Sequence, residues 1–229
     1  MFETFGWNDL LPLLQGAWLT VTLCVTSGVI GSIFGMILGL ASTSPSRIAR
    51  WISVIYVNII RGIPILVIIF MIYFGLPLVF PNLDLSKFMA ATIALSCYAA
   101  AYVSEIVRGS IEAVPAGQSE AADALGLGHY LKYKYVIIPQ AMKIIVPPGV
   151  GFMIGLVKDS SLVAVIGYVE LTKSGNIVAN LTNNPISTFL SVGAIYFVIC
   201  YGISMLGRWY EKRTGIHVES QNLRLPASI

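Results

Sequence analysis

Five long apolar runs, separated by short polar stretches, set the pattern of this chain. The first, Ala17 to Ala41, carries no charge. At about 1.5 Å per residue it is long enough to cross roughly 30 Å of hydrocarbon with some tilt. Gly31, Gly35 and Gly39 recur at every fourth position within it, which predicts a small-residue ridge for close helix packing. The second apolar stretch, Ile52 to Phe80, is broken by Arg61, Gly62 and Pro64. It predicts an interfacial or partly buried helix over Ile48 to Ile60, then a span proper over Ile63 to Phe80. Arg61 then sits at headgroup depth and snorkels. A single tilted helix from Ile52, which buries Arg61 deeper, is the alternative. The third run, Phe88 to Val107, is rich in alanine, as a closely packed helix requires. The fourth, Ile144 to Tyr168, opens with Pro147-Pro148, and the fifth, Ile186 to Leu206, is uncharged. Glu170 to Asn184 reads as a loop.

Between the third and fourth runs lies the one long polar insertion, residues 109–143. It contains two short helical patterns. In the first, Ser119 is placed as the N-cap, with Glu120 and Asp123 in the first turn and Gly126 as the stop. The second covers roughly Tyr130 to Ile137 and is expected to end before Pro139. A small alanine-faced helix held between two turns suits docking into a partner's groove, since little side-chain entropy is lost there. An ordinary connecting loop is the plainer reading.

Composition agrees with the bilayer. Of the residues, 56% are hydrophobic and 11% charged, against about 25% charged in soluble domains; mean hydropathy is +0.81. The fold class expected is all-α, a polytopic membrane protein with five transmembrane helices. A net charge of +3, with no basic stripe, gives no reason to expect a nucleic-acid partner. Cys24, Cys97 and Cys200 lie far apart in apolar runs and read as buried thiols; no metal or disulfide spacing is present. His129 and His217 are isolated. No GxxxxGK[ST] loop and no nucleophile–base arrangement occurs, so this chain is not expected to be an enzyme or to hold a cofactor. Residues 1–15 contain Glu3 and Asp9 but no Lys or Arg, which argues against a signal peptide. Arg47, Arg50, Lys132, Lys134, Lys143 and the tail residues Arg208, Lys212, Arg213 and Arg224 fall on one side of a five-span arrangement, and only Lys87 and Lys173 on the other. The N-terminus is therefore expected outside, and the polar loop and tail in the cytoplasm.

Glu120-Ala121-Ala122, three residues, Gly126, nine residues, then Val136, Ile138 and Pro139 resembles the EAA loop of ABC-importer permeases, with Val136 and Ile138 as conservative replacements for the usual Ile and Leu. Four further stretches resemble the polar amino-acid branch: Arg61-Gly62-Ile63-Pro64, Ala101 through Gly109, Val114-Pro115-Ala116-Gly117-Gln118, and Lys158-Asp159-Ser160-Ser161-Leu162. The likeness covers about residues 16–213. It implies an extracytoplasmic N-terminus (1–15), a type I importer transmembrane domain (16–208) and a cytoplasmic tail (209–229) in a bacterial inner membrane. It also implies a second permease subunit, identical or homologous, two ABC ATPase subunits that carry ATP and Mg, and an extracytoplasmic amino-acid-binding protein. Glu120, Ala121, Ala122, Gly126 and Pro139 are the coupling residues it implies. The substrate class implied is a polar L-amino acid of the glutamine/glutamate type. A self-sufficient carrier or channel driven by an ion gradient is the rival class, and a membrane scaffold a third.

Candidate chemistry within the spans centres on Lys158-Asp159-Ser160-Ser161. Lys158 follows Ile144 by fourteen residues, about 21 Å of helix rise. A charge at that depth costs at least about 2.5–3.5 kcal/mol unless it is paired or hydrated. Asp159 suits a substrate ammonium, Lys158 a carboxylate, and Ser160 and Ser161 supply hydroxyls. Adjacent helical residues point about 100° apart, so both charges face one pocket only where the helix is distorted, which Gly155 permits. A staple role is equally open, with an ion pair to Glu105, Arg61 or a partner subunit. Glu105 and Arg108 have the spacing of a local ion pair; Glu105 and Arg61 are also pathway candidates.

Overall fold

In the computed structural model, residues 6–82 and 84–214 are described. They form helices joined by short turns, with no strand among the described residues. After a 3₁₀ turn, Trp7–Asp9, the helices are α1 (Leu10–Ser42), α2 (Arg47–Gly62), α3 (Ile65–Phe70), α4 (Leu76–Val79) and α5 (Lys87–Glu112). They continue with α6 (Ala116–Ala124), α7 (His129–Lys132), α8 (Ile138–Asp159), α9 (Leu171–Thr182) and α10 (Pro185–Thr214). Four helical stretches are long and apolar enough to cross a membrane, and a fifth span results when α2 and the α3–α4 segment are counted together.

The bundle is built on the seam between α1 and α5. A Cβ on Gly31 would strike Ala99, one on Gly35 would lie 2.6 Å from Cβ of Val103, and one on Gly39 would lie 2.5 Å from Cβ of Val107. Each step moves one turn along both helices, so they run parallel and in register. Backbones that close leave no room for even a methyl group, which is why glycine stands at these positions. The Ser96 hydroxyl donates to the Ser27 carbonyl across the seam at 3.3 Å. Ala90, Ala91, Ala94, Leu95 and Ala99 then bury against α3 and the end of α8.

Helix α2 crosses this pair instead of running along it. Near its start the Ser53 hydroxyl donates to the Leu38 carbonyl (2.7 Å), and at its end Arg61 reaches Glu105 (3.2 Å). Leu38 adjoins Gly39, which faces Val107, so the two contacts lie at nearly one level of the bundle. After Gly62 the chain bends by 102°. Pro64 sets the break, because it disfavours helical geometry at Ile63. Ile65–Val79 then climbs beside α5 with a π turn, Met71–Gly75, inside it. That segment is about 22 Å long, short of a full crossing, so the expected span Ile63–Phe80 is completed only by the crosswise helix before it. Arg61 does not snorkel away from the protein; it turns onto α5.

Four other boundaries differ from expectation. Ser119 lies inside α6, whose N-cap is Pro115, so Glu120 and Asp123 are not in its first turn. Pro139 does not end a helix. It lies near the start of α8, and a π turn at Tyr133–Ile137 makes α7 and α8 continuous. The wider turn absorbs the hydrogen bond that proline cannot donate. Pro147 and Pro148 lie within α8, in line with the expected run Ile144 to Tyr168. Residues 170–184 are not a loop but mostly α9. Glu170 caps it, accepting from the amides of Lys173 (2.7 Å) and Thr172 (2.8 Å). Burial pushes the Glu170 carboxyl above its ordinary pKa, with those amide bonds opposing the shift. The first residues of the expected tail, 209–214, are the end of α10; Arg224 and His217 lie outside the described residues.

Candidate functional site

The polar insertion is a compact hairpin. At the end of α6, Gly126 has φ +74°. The Gly126 amide donates to the Asp123 carbonyl (2.9 Å) and the Leu127 amide to the Ala122 carbonyl (3.0 Å). These are the paired bonds of a Schellman turn, and the positive φ explains the glycine. Lys132 holds Asp123 at 2.9 Å, and Gln140 bonds Gln118 at 3.2 Å. The short helix is thus strapped to α7 and α8. Ala122 faces inward at 2% exposure, whereas Glu120 and Ala121 point out and Leu125 is 79% exposed. Glu120 has no ion-pair partner among the described residues. Pro139 stands apart from this face, exposed at the base of α8.

A second cluster lies along α5. Tyr98, Tyr102, Glu105, Arg108 and Glu112 succeed one another at helical spacing, one stripe on one face. Tyr98 and Tyr102 have ring centroids 4.5 Å apart, and Tyr102 stacks on Phe152 of α8 at 5.7 Å. The Arg61 guanidinium lies 5.3 Å over the Tyr102 ring and 3.2 Å from Glu105. Glu105 also binds Arg108 at 3.0 Å, and Arg108 binds Glu112 at 2.7 Å. The local pair expected of Glu105 and Arg108 is present, extended on both sides.

Asp159 closes the other end of the stripe. It is half-buried where α8 tightens into a 3₁₀ turn, Ser160–Ile166, with Tyr98 as a neighbouring side chain. Near the far end of α5 the Lys87 ammonium donates to the Gly167 carbonyl at 3.2 Å, so Asp159 lies well inside the bundle. It has no ion-pair partner among the described residues. The staple to Glu105 or Arg61 is not made within this chain, because those two side chains hold each other. Lys158 is exposed and points away, as adjacent helical positions must. Ser160 is fully buried and donates to the Val157 carbonyl at 2.7 Å; Ser161 remains half-exposed. Arg61, Glu105 and Asp159 therefore share one line, and Lys158 and Ser160 leave it. Tyr98, Tyr102 and Phe152, which complete that line, were not foreseen; their signal was two tyrosines at spacing four leading into Glu105 on an alanine-rich helix.

Residues 31–216 match the family described as the binding-protein-dependent transport system inner membrane component. The chain belongs to that family. It is similar to the arginine transport system permease protein ArtQ of Bacillus subtilis (strain 168), 36% identical over 88% of this chain and 91% of that one. It is also similar to the glutamine transport system permease protein GlnP of Escherichia coli (strain K12), 33% identical over 93% and 99%. Among solved structures, one described as an amino acid ABC transporter with histidines superposes with a TM-score of 0.84 at 33% identity, covering 92% of this chain and all of that one. The helical bundle is thus the type I importer membrane domain, a multi-pass inner-membrane component of an ABC transport system.

Proposed function

We propose that this chain is the permease subunit of an ATP-driven importer of polar L-amino acids, glutamine and glutamate being the preferred type. Two such subunits, identical or homologous, form the pathway. Two ATPase subunits carrying ATP and Mg dock on the exposed face of α6, around Glu120, Ala121 and Gly126. An extracytoplasmic binding protein delivers substrate at the opposite end, where the N-terminus lies; the tail is cytoplasmic. Arginine and glutamine permeases among the relatives support the substrate class.

One observation carries the reading. Asp159 is a half-buried acid well inside the bundle with no cation paired to it among the described residues. Such a group needs water, a proton or a visiting positive charge, and every amino-acid substrate brings an ammonium. The aromatic and charged stripe on α5 then lines the way toward the loop end.

Asp159→Asn tests this, because it removes the charge and keeps size and hydrogen bonding. Uptake is expected to fall at least tenfold while the complex assembles at normal yield, with the loss differing between substrates. Poor assembly for every substrate alike would mark a staple to the partner subunit, since stranding one member of a buried pair costs about 3–5 kcal/mol. Unchanged uptake at normal yield sinks both roles. Uptake that persists without any ATPase would turn the reading to a gradient-driven carrier.

A further inference from the structure

Helix α2 has two unlike exposed faces. At about 100° per residue, Arg47, Arg50, Asn58 and Arg61 fall within about 80° of one another, and Ile48, Ile52, Ile55 and Ile59 within about 60° on another side. Tyr56 and Arg61 fix which way these faces point. The Tyr56 hydroxyl donates to the Cys97 carbonyl (2.8 Å), toward the far end of α5, and Arg61 reaches Glu105, toward the loop end. The arginine face of this crosswise helix therefore looks toward the loop end of the bundle, where headgroups meet water. Its isoleucines look sideways, into hydrocarbon. Arg61 is neutralised by Glu105, but Arg47 and Arg50 are exposed and have no carboxylate partner among the described residues. Trp51, next after Arg50, is 67% exposed, as suits an interfacial anchor.

Behind α2, toward the middle of the bundle, lies a groove of about 490 Å³ between α1, α2 and α5. Phe34, Ile37, Ile52, Tyr56, Ile93 and Cys97 are among its lining residues. It lies within the spans, so the medium that fills it is not water. Ile52 belongs both to its wall and to the isoleucine face, which gives a continuous apolar path from the turn bearing Arg47 and Arg50 into the groove.

We propose that Arg47 and Arg50 hold the phosphate of an anionic phospholipid, one acyl chain of which runs past Ile48 and Ile52 into this groove. The two guanidiniums select for the charge, and the groove selects for a chain that leaves the annulus. A second protein subunit on this groove is the competing occupant, and the last arm of the test below separates it from lipid.

The test uses the full-length chain in nanodiscs of phosphatidylcholine doped with a lipid carrying a diazirine on its acyl chain, either phosphatidylglycerol or phosphatidylcholine. Cross-linked peptides are mapped by mass spectrometry. The phosphatidylglycerol probe is expected to label the segments around Phe34–Ile37 and Ile93–Cys97 in preference to the zwitterionic probe. A basic residue at a membrane surface favours anionic lipid by about fivefold, so the preference should reach about 25-fold for the two arginines together. Arg47→Gln with Arg50→Gln should abolish it, while labelling of the exposed residues Phe197 and Val198 on α10 stays unchanged. Equal labelling by both probes, or a preference that survives the double substitution, overturns the proposal. So does a groove that cross-links to a protein subunit in the assembled complex.

Discussion

Helix α5 presents two faces made by different rules. The face against α1 is closed: Ala99 and Ser104 are at 0% exposure and Val107 at 2% there, and glycine backbones replace side chains across the seam. The face toward α8 and Arg61 is half-open, and Tyr98, Tyr102, Glu105 and Arg108 make contacts that are polar, long-reaching and partly exposed. The first face derives its strength from contact at the limit of close approach, where nothing can be added. The second holds charges whose partners can be exchanged, because none is fully sealed. A rigid seam and a half-open stripe on one helix give the protein a fixed frame beside a face with room to adjust.

The sharpest way to break this contrast is to put bulk into the seam. Gly35→Leu is expected to destabilise by about 3 kcal/mol, at the upper end of overpacking costs, since a Cβ alone would lie 2.8 Å from the Ala100 carbonyl oxygen. Yield of folded protein after mild solubilisation reads this. Gly109→Ala on the same α5, with nothing within 4 Å of the added Cβ, should instead gain about 0.5–1 kcal/mol from helix propensity. If both changes behave alike, the seam is not the frame.

A smaller effect is expected at the loop, where a glycine serves backbone conformation and not spacing. Gly126→Asp should cost about 1 kcal/mol locally, because its φ of +74° burdens a residue with a Cβ. Uptake should fall while insertion is normal. If ATPase binding and uptake both survive Gly126→Asp combined with Glu120→Lys, α6 is not the docking element.

On the open face, Glu105→Gln should change stability by less than about 1 kcal/mol, because its pairs are partly exposed and screened. Uptake should still drop severalfold as Arg61 loses its anchor. Equal loss of folded yield and uptake would move this face into the rigid class.

The smallest effect concerns Glu170, a carboxylate sealed like the seam but polar like the stripe. Its folded pKa is raised above the ordinary 4.5 by burial. The folded state therefore holds the proton more tightly than the unfolded one, and stability falls as pH rises from about 4.5 through the folded value. Melting temperature followed across that window should show this slope, and Glu170→Gln should flatten it. A slope unchanged in the variant would assign it to other groups.

Much of this was legible along the chain, for reasons visible in particular residues. Uncharged runs marked α1 and α10, and the spacing of Gly31, Gly35 and Gly39 marked the seam. Gly126 marked the turn that ends α6. What could not be read was pairing between distant segments. Arg61 looked like a snorkelling residue because its partner Glu105 lies on another helix. α9 looked like a loop because Lys173, Asn176 and Asn180 suggested one, although Glu170 before Leu171 is a serviceable cap. Pro139 misled most: it read as a boundary, yet the π turn before it keeps α7 and α8 continuous.

The brevity of the link between α5 and α6 has a mechanical consequence. Only Ala113, Val114 and Pro115 separate Glu112 from Ala116, and Val114 is itself buried. There is no slack in which a displacement of the hairpin can be lost. α5 is a strut about 39 Å long, stiffened along its length by α1. A tilt of about 5° imposed at the hairpin moves the opposite tip by about 3 Å over that length. That is comparable to the reach of the Lys87–Gly167 hydrogen bond at the tip. A modest push at one surface is therefore enough to unfasten a clasp at the other.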